Sequence, residues 1–73
     1  MSHRTSGPNP ASAAAELHVI ADTVERQRER VAATAEPFLG SEREDIVATV
    51  HEAERQLLIA VRALRRAIKS LER

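Results

Sequence analysis

Pro37 and Gly40, three residues apart, interrupt a chain that otherwise reads as helix from about residue 10 to about residue 72. A proline inside a helix removes a backbone donor, clashes with the preceding turn and pushes the residue before it towards extended geometry. The four residues Pro37-Phe38-Leu39-Gly40 are too few to carry the chain anywhere but back along itself. The expected fold is therefore all-α: an antiparallel two-helix hairpin, with one helix over about 10–36, a turn at 37–40 and a second helix over about 41–72. Residues 1–9, with Ser, Thr, Gly, Pro and Asn but no large apolar side chain after Met1, are expected to form a disordered N-terminal arm.

Local signals agree with these limits. Asn9-Pro10 supplies an N-cap followed by a proline at the first helical position. Ser41-Glu42-Arg43-Glu44 has the spacing of a capping box, in which Ser41 would cap the Glu44 amide and Glu44 would reach back to Ser41. Glu42, Glu44 and Asp45 sit where the positive end of the helix dipole favours them.

The two helices are unequally apolar. At 100° per residue, Ala13, Leu17, Ile20, Ala21, Val24, Val31 and Ala35 share one face of the first. Ile46, Val50, Ala53, Leu57, Val61, Leu64, Ile68 and Leu71 share one face of the second. The second stripe offers more apolar surface than the alanine-rich first can cover. Leu58 and Ile59 add apolar area outside the stripe, which marks a second contact. A 73-residue chain with such a core is marginal as a monomer. These features predict a homo-oligomeric four-helix bundle, a dimer being favoured over a larger assembly, or else a helical protein partner. The interface would comprise Ile46, Val50, Leu57, Leu58, Val61, Leu64, Ile68 and Leu71.

Charge is balanced overall, with eleven basic and eleven acidic residues, so no global field steers the chain to nucleic acid or membrane. It is unevenly placed, however. Residues 41–54 carry one basic and five acidic groups, residues 55–73 six basic and one acidic. Arg55, Arg62, Arg66, Lys69 and Arg73 fall within about 60° of one another on the outward side of the second helix. They form a candidate anion contact, for nucleic acid or an anionic surface. A solvated face is the ordinary alternative, and it is favoured because no aromatic side chain interleaves the stripe. Arg28 interrupts the apolar stripe of the first helix. Folding the chain about residues 39–40 brings it opposite Glu54, with His51 nearby, as a structural ion pair.

Catalytic and cofactor signatures are not found. There is no cysteine, which excludes disulfides and thiolate metal sites. His51-Glu52-Ala53-Glu54 lacks a second histidine four residues on, and alanine stands three residues before both His18 and His51, so neither a zinc-hydrolase nor a di-iron pattern is present. His3 lies in the arm. Two helices alone build no cleft. The expectation is a non-enzymatic protein with no catalytic, cofactor-binding or metal residue. The longest apolar run, Leu57 to Val61, is too short for a membrane span, and the N-terminus has no apolar leader. A cytoplasmic location is the default.

Phe38-Leu39-Gly40, at the turn of a helical hairpin, resembles the small secreted hairpin proteins whose turn reads Trp-x-Gly. That resemblance covers three residues and implies export as a folded hairpin. Phe stands in place of Trp, the chain is much shorter than that family, and the family's C-terminal secretion signature with its tyrosine is absent. The simpler role for Phe38 is to close the hairpin end against Ala35 and Ile46.

Overall fold

The computed structural model describes residues 7–73. Met1 to Ser6, most of the expected arm and His3 with them, lie outside the described residues. The described chain is helical, without a strand: helix α1 spans Pro10–Ala33, a single 3-10 turn Glu36–Phe38, and helix α2 Glu44–Leu71. The two long helices pack against each other along their length. The Asn9 side chain accepts hydrogen bonds from the Ala11 and Ser12 amides at 2.9 and 3.3 Å, and its extended backbone starts α1. A cap of this kind is worth about 1 kcal/mol.

Both helices are shorter than expected at the turn. α1 ends at Ala33 rather than Glu36, because the ring of Pro37 would meet the Ala33 carbonyl in a continued helix. The chain tightens instead. The Thr34 amide donates to Val31 at 3.1 Å and the Ala35 amide to Ala32 at 3.2 Å, and Pro37 is taken into the 3-10 turn. Gly40 then adopts a φ of +73°, a left-handed conformation that costs glycine little.

α2 begins at Glu44 rather than Ser41, and the capping box is displaced. The Ser41 amide is occupied by the Phe38 carbonyl at 3.1 Å, so the Glu44 carboxylate accepts from the Gly40 amide instead. The Ser41 hydroxyl accepts from the Arg43 amide at 3.0 Å and donates to Phe38 at 2.7 Å. Arg43 takes the N-cap position without a side-chain cap.

The seam between the helices follows a 3.5-residue repeat, the spacing that keeps one edge of a helix facing its neighbour. Its inner row is Ala14, Ala21 and Arg28 on α1, continued by Ala35 just past its end, with Val47, Glu54, Val61 and Ile68 on α2. The buried residues all belong to this row: Ala14, Ala21, Ala35, Val47, Val61 and Ile68. Ala21 is fully covered, and alanine there allows the helices to approach closely. The second row is larger: Leu17, Val24 and Val31 with Val50, Leu57, Leu64 and Leu71, every one only half-buried.

This corrects the apolar stripe read from the sequence. Ala13 and Ala53 are exposed and Ile20 is 40% exposed, while Ala14 and Val47, outside that stripe, are buried. The stripe is real, but it is centred to one side of the seam rather than on it.

Candidate interaction surface

Two antiparallel helices side by side form a slab with two broad faces, and the smallest extent of this one is 12 Å, a single helix thick. A stable domain ordinarily needs a second layer to bury its apolar faces. The two faces of this slab differ sharply.

One face is polar and closed by ion pairs across the seam. The His18 ring nitrogen lies 3.2 Å from Glu72, and Arg65 donates to Asp22 at 3.2 Å. Between them sits a triad: Arg28 Nη1 donates to Glu54 at 2.9 Å while its Nε and Nη2 donate to Glu25. Arg28, Glu54 and Glu25 are each largely covered. Glu25 was not singled out from the sequence, although its position three residues before Arg28 puts it within reach on the same helix. His51 is exposed.

The bond from Arg28, above all, holds the Glu25 carboxyl below the usual carboxylate range, and Glu25 correspondingly holds Arg28 in its charged form. At the turn, the bond from Arg43 lowers Asp45 in the same way. A carboxyl depressed in the folded state stabilises the fold above its ordinary value, and the contribution disappears as pH falls through the folded value. The melting temperature should therefore drop between about pH 5 and about pH 3. A thermal melt of Glu25→Gln over that range should show a smaller drop. An equal drop would mean Glu25 takes no part.

The opposite face carries no charge. Sixty degrees beyond the half-buried row, on the side away from the ion pairs, runs a third row. It consists of Ala13, Ile20 and Gln27 on α1, Thr34 capping its C-terminus, and Ile46, Ala53, Ala60 and Ala67 on α2. All but Ile46 are exposed. Together with Leu17, Val24, Val31, Val50, Leu57, Leu64 and Leu71, these residues make a face of fifteen positions without an acidic or basic side chain.

The expected interface residues are divided between these surroundings. Val61 and Ile68 are already buried inside the hairpin. Val50, Leu57, Leu64 and Leu71 belong to the uncharged face, with Ile46 at its turn end. Leu58, half-buried, lies on the ion-paired face and does not join them, and Ile59 is 50% exposed on the outer edge of α2.

Of the basic stripe, Arg55 is paired with Glu52. Arg62, Arg66 and Lys69 line a shallow open depression with Val61 and Arg65. Among the described residues Arg62, Arg66, Lys69 and the exposed Arg73 form no ion pair. Arg65, which the sequence stripe omitted, is the member that reaches across to α1.

Among the described residues no group of three or more His, Cys, Asp or Glu is placed to hold a metal ion. No described helix is long and apolar enough to cross a membrane. No protein-family model, curated protein or solved structure matches this chain.

Proposed function

We propose that this chain is a non-enzymatic helical interaction protein, an assembly factor, adaptor or regulatory subunit, whose working surface is the uncharged face of the hairpin. The observation that carries this reading is the row of seven half-buried Leu and Val side chains bordered on its outward side by uncharged residues alone. Apolar area of that extent on a single-layer hairpin is costly in water and marks a protein contact. Self-association into a four-helix bundle, a dimer in the first instance, is the arrangement favoured here. The hairpin would then be stabilised by the same contact through which it acts.

Thermal unfolding followed by circular dichroism over a hundredfold dilution tests this. A melting temperature that falls on dilution is expected, since association stabilises the folded form by mass action. A melting temperature independent of concentration, in a monomer, would overturn it.

A second reading is favoured by the cations around Arg62, Arg66 and Lys69: contact with a polyanion at the basic end of α2. Binding to a single-stranded oligonucleotide that weakens steeply with salt and is lost in Arg62→Ala/Arg66→Ala would support it. Salt-insensitive or undetectable binding would remove it.

A further inference from the structure

The uncharged face admits two ways of stacking a second copy, and charge separates them. Both give a bundle in which neighbouring helices run antiparallel, so helix dipoles do not choose between them. In one, the two turns lie at the same end and α2 rests on the partner's α1. In the other, the copies are turned end for end, with α2 on α2 and the turns at opposite ends.

The half of the hairpin nearer the turn, residues 25–54, carries four basic and eight acidic groups; the open half, residues 7–24 and 55–73, carries six basic and three acidic. Same-end stacking would set acidic half on acidic half and basic on basic. End-for-end stacking sets each on its opposite.

The alanine row of α2 points to the same choice. These residues project from the crest of α2 on the uncharged face, where the helical wheel turns them straight at a partner. The row is symmetric about Ala60: with a second α2 reversed over the first, Ala53 meets Ala67 and Ala60 meets itself. Small residues at all three points let the two backbones approach closely, with Leu57 and Leu64 filling in beside them. The area also suffices. A 28-residue helix is about 42 Å long, and two helices are about 20 Å wide. That is roughly 800 Å² per copy and about 1,600 Å² in all, the size of a standard stable interface.

We infer that a second copy of this chain covers the uncharged face end for end, α2 crossing α2 at Ala60, with the acidic half of each hairpin over the basic half of the other. This rests on the self-association proposed above.

Because the chain has no cysteine, single labels test it cleanly. Leu39→Cys places a spin label at the exposed tip of the turn without altering charge. Pulsed dipolar spectroscopy should give an intermolecular separation of more than about 40 Å, the length of α2. Independently, Ala60→Cys should form a disulfide-linked dimer on mild oxidation. A separation under about 25 Å, or a failure of Ala60→Cys to cross-link in a protein that is dimeric by mass, would overturn the end-for-end arrangement and leave self-association standing. A monomeric mass with no dipolar signal would overturn both.

Discussion

Replacing Leu57 with glutamate is expected to dissociate the protein, whereas the same replacement at the adjacent Leu58 leaves its mass unchanged. Both side chains are half-buried in the hairpin, so neither change is fatal to the hairpin through its own core. They differ in the face they serve. Leu57 is part of the uncharged face, near its midpoint, where a covering helix would exclude water. A carboxylate trapped there without a partner costs several kcal/mol, and symmetry imposes the cost twice in a dimer. An increase in dimer Kd of about a thousandfold or more follows. Leu58 lies beside ion pairs in solvent, where glutamate is readily hydrated. Sedimentation velocity on the two variants checks this. Equal masses for both would mean that the uncharged face is not the contact.

The second large effect concerns the hairpin's own core. Ile68 is 3% exposed and packs in the cluster with Ala14 and Ala21, bordered by Leu17, Leu64 and Leu71. Truncating it to alanine removes apolar contact and leaves a cavity, at a cost of about 2–5 kcal/mol. That is a large part of the stability of any small domain. Ile59, 50% exposed on the outer edge of α2, should tolerate the same truncation with a change of about 0.5 kcal/mol or less. Urea titration of both variants against the parent checks the contrast. Similar losses at the two sites would mean that Ile59 is covered in the assembled protein and that the working surface extends around α2.

The contrast between Leu57 and Leu58 also shows how far the sequence can be read. The hairpin was legible because its determinants are local: Asn9-Pro10 starts one helix, and Pro37 with Gly40 reverses the chain. The centre of the seam was not. A stripe read at 100° per residue finds the middle of the apolar surface, which coincides with the middle of the contact only when the contact buries all of it. Here Ala13, Ile20 and Ala53 belong to the stripe but stand outside the seam, and Ala14 and Val47 lie inside it. The offset is itself informative, because it locates the apolar surface that α1 does not cover.

At the turn, the capping residues were identifiable but their pairing was not. The amide that Glu44 caps depends on which amides the 3-10 turn has already engaged. The polar face was partly legible. Arg28 and Glu54 could be set opposite one another by folding about the turn, and Glu25 was within reach by its spacing. The Asp22–Arg65 bond required the register of one helix against the other, which no local pattern encodes. The basic side chains of α2 illustrate the same limit: five were grouped by periodicity, yet Arg55 is paired along its own helix, while Arg62, Arg66 and Lys69 gather with Arg65 about one depression.

The proposed function requires that the uncharged face be covered in the working protein. The most direct measurement is the mass of the unmodified chain in solution, by light scattering over a range of dilution, with helicity followed on the same samples. The predicted result is a helical particle of about twice the 8.1 kDa chain mass, losing helicity as it dissociates. A fully helical particle of single-chain mass that unfolds cooperatively at every concentration would contradict the account, since seven Leu and Val side chains would then stand half-exposed with no partner and no penalty.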